Sequence, residues 1–234
     1  MTAVGVLPPT HPLRHTLEEG ARTLGLNLTA GQLDLLLDYL TLIQKWNKVY
    51  NLTAVRDPAE MLTHHLLDSL AVVLPLQQQL SAMRVSGALL ANAQVRLLDV
   101  GSGAGLPGAV IAICCPEVMV HCVDTVAKKA AFIQQVAVSL KLPNLRGIHA
   151  RVENLTDTYQ VVSSRAFASL LDFVTWSHKC LAEQGVWMAM KGKHPADEIA
   201  ALPADVQMFH VEPLVVPGLH AERCLLWLRS VTSV

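Results

Sequence analysis

Apolar side chains at Leu33, Leu36, Leu37, Leu40 and Ile43 recur at the spacing of one helix face, and the stripe runs on to Trp46. Thr29 followed by Gln32 forms a capping box that predicts where this helix starts, since each side chain can accept from the other's backbone N–H. Asp57, Pro58 and Glu60 predict a second start: an N-cap acceptor, a proline at the first helical position, and an acid near the positive helix end. That helix is expected to run through MLTHHLLDSLAVVL and stop near Pro75, which leaves the Gln- and Ala-rich residues 76–94 as a connection. Residues 1–25 contain Pro8, Pro9 and Pro12 with no sustained period, and read as a flexible tail.

Beyond residue 94 the pattern changes. VRLLDV, VMVHCVD, LRGIHA, QVVSSRA and VWMAMKG are short apolar runs that read as buried strands. Helices are expected between them: from about Leu106 to Cys115, where Pro116 ends it, over AKKAAFIQQVAVSL, and over SLLDFVTWSHKCL, where Gly185 ends it. A short helix near PADEIAAL precedes two closing strands, VQMFHVEPL and RCLLWLRSV, which have no helix between them. Strands alternating with helices imply an α/β fold with a mostly parallel sheet covered on both faces, here with an antiparallel edge. The expected organisation is a tail (1–25), an N-terminal helical extension (26–94) and a nucleotide-type α/β domain (95–234).

Composition narrows the classes. With 52% apolar and 16% charged residues in 234, the chain has enough apolar surface for a folded core. A formal net charge of −1 offers no global attraction to nucleic acid, so any RNA must meet a local basic patch. The five cysteines, Cys114, Cys115, Cys122, Cys180 and Cys224, form no C-x-x-C pair and sit mostly in apolar runs, as buried reduced thiols of a cytoplasmic protein would. No metal-ligand spacing, signal-peptide pattern or long uncharged apolar run is present, so neither a metal nor a membrane is expected.

The stretch LLDVGSGAGLPG, Leu97 to Gly108, follows the first of these strands and opens a helix. Glycines let the chain turn sharply and let a ligand approach the backbone, and a helix start offers N–H groups and partial positive charge. Gly103, Gly105 and Gly108 satisfy the dinucleotide fingerprint G-x-G-x-x-G, which alone is weak. The fuller pattern, Asp99-x-Gly101-x-Gly103-x-Gly105, resembles the first motif of class I S-adenosylmethionine-dependent methyltransferases. Asp124 ends the next strand, 23 residues after Gly101, and a carboxylate there suits a ribose diol. It would serve NAD equally well and does not choose between the two. The chain after residue 150 has room to finish the sheet but not for the second domain of a dehydrogenase, which favours the methyltransferase.

The substrate is narrowed by what is missing. No Asn/Asp-Pro-Pro-aromatic motif of an exocyclic-amine methyltransferase follows the fourth strand, and no cysteine stands at the end of the fourth or fifth. A nucleophile that needs no deprotonation, such as guanine N7, remains, and proximity and alignment would then supply most of the catalysis.

Seven motifs in order, WNKVYNLTAVRDP, HHLLDS, LLDVGSGAGLPG, ARVENL, SSRAFASL, MKG and AERCLL, resemble the bacterial 16S rRNA guanine-N7 methyltransferase family, also called glucose-inhibited division protein B. The likeness runs from about residue 30 to the C-terminus. It implies a class I Rossmann-like fold with a seven-stranded sheet. It also implies S-adenosylmethionine as donor and a guanosine of 16S rRNA near the decoding site as target, as rRNA or small ribosomal subunit. Separately, a monomer is expected. Carried over residue by residue, it places Gly101, Leu106, Val152, Glu153 and Arg165 on the cofactor. Three positions depart from the family: His64 where a basic residue is usual, Gln160 where aspartate is frequent, and Cys224 where histidine is common after Arg223. The rival readings are a methyltransferase of the same fold acting on another RNA or a small molecule, and a non-catalytic nucleotide-binding module.

Several side chains keep two readings at this point. Arg165 could grip the cofactor carboxylate or the guanine edge, or form a structural ion pair. His65 and Asp68 lie three residues apart on one helix and could face the substrate as a pair or lock the extension to the domain. Trp46 and Tyr50 could stack on bases, although Trp46 also continues a core stripe. Lys128, Lys129, Lys191 and Lys193 could meet phosphates or simply be solvated.

Overall fold

A computed structural model describes residues 11–231. Among them the strands β1 (Val95–Val100), β2 (Val118–Asp124), β3 (Leu145–His149), β4 (Tyr159–Arg165), β5 (Leu181–Lys191), β6 (Val206–Pro213) and β7 (Cys224–Ser230) form one sheet. Its order is β3-β2-β1-β4-β5-β7-β6. The pairs from β3 across to β5 are parallel, whereas β7 runs antiparallel to both β5 and β6. The chain winds outward one way from β1 and the other way from β4. The crevice above the carboxyl ends of β1 and β4 is therefore the topological switch point, where open α/β sheets bind ligands.

Both faces of the sheet are buried, and successive residues serve opposite sides. Leu97 joins the core beneath the N-terminal helices, α6 (Gly108–Cys114) and α7 (Ala127–Ser139). Leu98 joins the core beneath α8 (Leu170–Ser177), with Phe173, Val174 and Trp187. The helical extension has no core of its own: Leu36, Met61 and Leu76 share one apolar cluster with Leu97 and Val120.

The helix α2 (Ala30–Tyr50) starts at the Thr29–Gln32 capping box, with both reciprocal bonds made. Asp57 caps α3 (Pro58–Met61) by accepting from Ala59 and Glu60 N–H at 2.9 and 3.0 Å. Three expectations are corrected by the structure. Residues 14–23 are not tail but the helix α1 (Arg14–Thr23), in which Leu17 is 0% exposed. Its Gly20 faces Leu67 so closely that a Cβ there would lie 2.6 Å from Leu67 Cδ2. The part of the tail before residue 11 lies outside the described residues. Nor does the chain stop at Pro75: α5 (Val73–Val85) carries it in the first turn, where the missing N–H costs nothing. Gly185 likewise does not end a helix. β5 begins at Leu181 and absorbs Gln184 and Gly185 as an irregularity, since pairing with β4 jumps from Tyr159↔Leu181 to Val161↔Val186.

Full burial of Leu17 makes a prediction. Leu17→Ala should cost about 2–4 kcal/mol of stability by cavity formation, read from urea unfolding. A loss under ~0.5 kcal/mol, the usual scale of surface changes, would make α1 peripheral to the fold.

Candidate active site

The glycine loop makes three left-handed turns, with φ of +65° at Gly101, +61° at Gly103 and +89° at Gly105. Only glycine adopts these cheaply. Its N–H groups turn inward. Gly101 and Ser102 donate to the Val123 carbonyl at 2.9 and 3.3 Å, and Gly105 and Leu106 to the Ser102 carbonyl at 2.8 and 3.0 Å. Gly103 donates to Asp124 Oδ2 at 3.0 Å, and Gly108 to Asp99 Oδ2 at 2.9 Å. A pyrophosphate-binding loop aims such groups at the ligand. This one spends them on itself, which argues against a dinucleotide and for a ligand whose contact with the loop is largely apolar.

The motif puts Asp99 among the cofactor contacts, and its position corrects that. The side chain is 0% exposed, accepts from Gly108 N–H and also from Ser163 Oγ at 3.2 Å, and sits behind the loop. Burial pushes its carboxyl up to about 7, with the Gly108 bond pulling the other way. It fixes the loop rather than touching a ligand. Gly108 must be glycine for the same reason: a Cβ would lie 2.4 Å from Cys122 Sγ and 2.9 Å from Asp99 Oδ2. Gly105 also lines neither cavity described below; a Cβ there would meet Tyr39 Oη and Ile133 Cγ1 at 3.3 Å. Tyr39, which the sequence pattern offers only as a helix residue, donates to the Ala104 carbonyl at 2.6 Å and pins the loop from α2.

Two cavities meet at Gly101 and Ala166. The first, of about 360 Å³, is walled by Asp124, Val152, Glu153, Phe167 and Trp176. Asp124 Oδ1 accepts from Val126 N–H at 2.8 Å, and Lys129 Nζ stands 3.7 Å from Oδ2. A carboxylate offers about four lone-pair sites, so roughly two remain for the hydroxyls of a diol. The second cavity, of about 510 Å³, brings together Gly103, Leu106, His65, Asp68 and Arg165. Phe167 packs against Trp176, with ring centroids 5.8 Å apart, and lies over Gly101.

The second cavity is organised by a short π-helical turn, Leu62–Leu67, between α3 and α4 (Asp68–Leu70). Such turns often mark functional sites. Asp68, 2% exposed, accepts from Arg165 Nη1 at 2.6 Å and from Arg223 Nε at 2.8 Å. Arg165 Nη1 also donates to the His64 carbonyl at 3.0 Å. One carboxylate between two guanidiniums leaves a net charge of about +1 facing the cavity. Nε and Nη2 of Arg165 make no bond among the described residues, so the ion pair and a ligand contact are compatible. In the sequence Arg223 stands in the AERCLL motif beside Cys224 with no role assigned to it, and the fold gives it one.

His65 and Asp68 do not pair. His65 Nε2 bonds Thr53 Oγ1 at 2.8 Å instead. Burial, then the nearby Arg165 charge, lowers the His65 pKa to about 4. In the unfolded chain it returns to about 6.5. The unfolded state therefore takes the extra proton first: this contribution to stability is complete above pH 6.5 and is lost as pH falls toward 4. The imidazole Hε1 resonance of His65 should stay flat from pH 8 to about 5.5; a midpoint near 6.5 would mean a solvated ring.

The lysines separate as well. Lys191 Nζ is held by Glu198 Oε2 at 2.8 Å and the Ala168 carbonyl at 2.9 Å, while Lys128 and Lys193 are exposed. Trp46 packs on Phe132 at 5.3 Å between centroids and on Tyr50 at 5.0 Å, which serves the core more than an RNA base. All five cysteines are buried and free.

The family model described as rRNA small subunit methyltransferase G matches residues 32–226. A protein of Acidovorax ebreus (strain TPSY) named ribosomal RNA small subunit methyltransferase G is 68% identical over 219 residues, 94% of this chain and 96% of that one. One of the same name from Albidiferax ferrireducens is 65% identical over 93% of this chain and 97% of its own. Among solved structures, TrmN from Thermus thermophilus aligns with a TM-score of 0.52 at 16% identity, over 70% of this chain and 49% of that one, a likeness of fold. The family model spans well over half of the sequence, and the chain belongs to the rRNA small subunit methyltransferase G family.

Proposed function

We propose that the chain transfers a methyl group from S-adenosylmethionine to N7 of a guanosine in 16S rRNA, near the decoding site. Beside the family match, one geometric observation carries this reading: two cavities joined at Gly101, over the switch point of the sheet. One has a diol-binding carboxylate and the other a cationic node. The two share a glycine wall, and the Phe167 ring lies over it, so a long cofactor would span both along Gly101 with that ring against it.

The residues fit such a cofactor. Asp124 would take the ribose hydroxyls, Val152 and Glu153 would flank the adenine, and Gly101 and Leu106 would border the sulfur end. Arg165 would meet the carboxylate with its unused donors. S-adenosylmethionine, when bound, supplies an electrophilic methyl group. The protein's task is then to hold guanine N7 in line and keep water out, with Leu52, Leu106 and Met190 as apolar walls. Guanine N7 has an in-plane lone pair and no proton to lose, which suits a site whose histidine is neutral and tied to Thr53. Methylation makes the base cationic. Asp68 moderates that, since it offsets one of the two guanidiniums beside the site.

No helix among the described residues is long and apolar enough to cross a membrane. RNA must be met locally, because the formal net charge is −1. Tritiated S-adenosylmethionine offered with 16S rRNA, 23S rRNA and tRNA from cells lacking this gene tests the reading. Label should enter 16S rRNA alone; labelling of tRNA or 23S rRNA instead would favour a different RNA target.

A further inference from the structure

A third cavity, of about 890 Å³, lies between the turn after β5 and the loop joining β6 to β7. It shares Gly192 and Arg223 with the second cavity, so three cavities form a row along the carboxyl ends of the parallel strands. Nothing in methyl transfer itself uses the third. We infer that it holds the base of a nucleotide adjacent to the target guanosine, an inference that rests on the RNA reading of the second cavity.

Four observations carry it. The first is continuity: Gly192 and Arg223 line both cavities, so a nucleotide next to a guanosine in the second cavity can reach the third. The second is the chemistry of the walls. Leu214, Val215, Val216 and Leu219 make an apolar floor, and Val215 is 80% exposed with no protein over it. Lys193, His194, His220 and Arg223 make the rim, with Glu222 as its carboxylate. An apolar floor suits the flat face of a base, and imidazoles and cations on the rim suit stacking and phosphate. The third is the unused valence of Arg223. Its Nε is on Asp68 and its Nη1 on the Glu222 carbonyl at 2.9 Å, which leaves Nη2 free among the described residues at the border between the cavities. The phosphate linking the two nucleotides would pass there. The fourth is that the loop is built before any ligand arrives: Leu214 N–H bonds the Arg223 carbonyl at 2.8 Å, and Leu219 N–H the Val216 carbonyl at 3.1 Å.

The energetics give the subsite a purpose. An enzyme that takes its target base out of the stack must offset the lost stacking. A second pocket that accepts the unstacked neighbour recovers part of that cost and fixes which guanosine is chosen.

The test uses Val215→Glu, which places a carboxylate on the apolar floor at an exposed position, and Lys193→Ala on the rim. Val85→Glu, at a site 90% exposed on α5, is the control. Methyl transfer is measured on 16S rRNA, both naked and in small subunits from cells lacking this gene, and cofactor affinity by calorimetry. The expected result is a KM for RNA raised about tenfold by Val215→Glu and about threefold by Lys193→Ala. Cofactor affinity and melting temperature should match the control. RNA carrying 4-thiouridine beside the target should crosslink to the peptide spanning residues 211–224. An unchanged KM, or crosslinks only elsewhere, would overturn the subsite while leaving methyl transfer in place. A defect confined to assembled subunits, with the crosslink missing, would assign the floor to a ribosomal protein and overturn it too. If the wild type transfers no methyl group to 16S rRNA in either form, the reading of function falls and the subsite with it.

Discussion

Gly101→Val is expected to weaken S-adenosylmethionine binding at least 100-fold in a protein that still folds. The position has φ +65°, which a β-branched residue adopts only under strain of about 1–3 kcal/mol. Its Cβ would fall 2.1 Å from Phe167 Cδ2, so that ring is displaced and the branched side chain stands on the wall the two cavities share. That wall is the one the cofactor needs. Calorimetric titration checks this, with circular dichroism to establish folding. Wild-type affinity in a folded variant would remove Gly101 from the cofactor path. The wild type should bind NAD poorly, because the loop's N–H groups already have acceptors in Val123, Ser102, Asp99 and Asp124.

The second large effect belongs to Asp68. Asp68→Ala leaves the guanidiniums of Arg165 and Arg223 facing each other without their shared counter-charge. Breaking a buried pair costs about 3–5 kcal/mol. Because the two arginine side chains are 20% and 24% exposed, solvent screens part of that, and about 2 kcal/mol of lost stability is expected. The rate should fall more steeply. Arg165 leaves its place at the cavity wall, and misplacement by about 1 Å can cost ~10²-fold. His65→Ala should slow turnover far less, since N7 attack needs no base. Single-turnover rates at saturating cofactor and RNA provide the ranking. If His65→Ala abolished transfer while Asp68→Ala and Arg165→Ala stayed near wild type, a proton-abstracting mechanism on another atom would replace base-free attack by N7.

The parts of the fold carried by local chemistry are legible in the sequence. The Thr29–Gln32 box, the Asp57 cap, the five parallel strands and the closing antiparallel pair all have signals a few residues long. α1 escapes because its inner face uses Gly20 and Ala21, small residues that weaken the apolar period around Leu17. The place of the glycine loop and Asp124 is legible because their spacing encodes a strand, a turn and a strand end. Asp99 is not, because its motif position says that it matters without saying on which side of the loop it lies. The Asp68 node is the least legible. Arg165 and Arg223 lie 97 and 155 residues from Asp68 in sequence, and the π turn that aims Asp68 at them has no local signature in this chain. The third cavity depends on two loops distant in sequence, and only the folded chain brings them together.

The identity of the methylated atom decides between base-free attack and every rival chemistry. After reaction with this protein and S-adenosylmethionine, 16S rRNA is treated with borohydride and then aniline, which cut the chain where guanine carries a methyl group on N7. One new cleavage is expected, at one guanosine near the decoding site, dependent on both protein and cofactor. Methyl incorporation without that cleavage would place the group on another atom and contradict N7 as the acceptor.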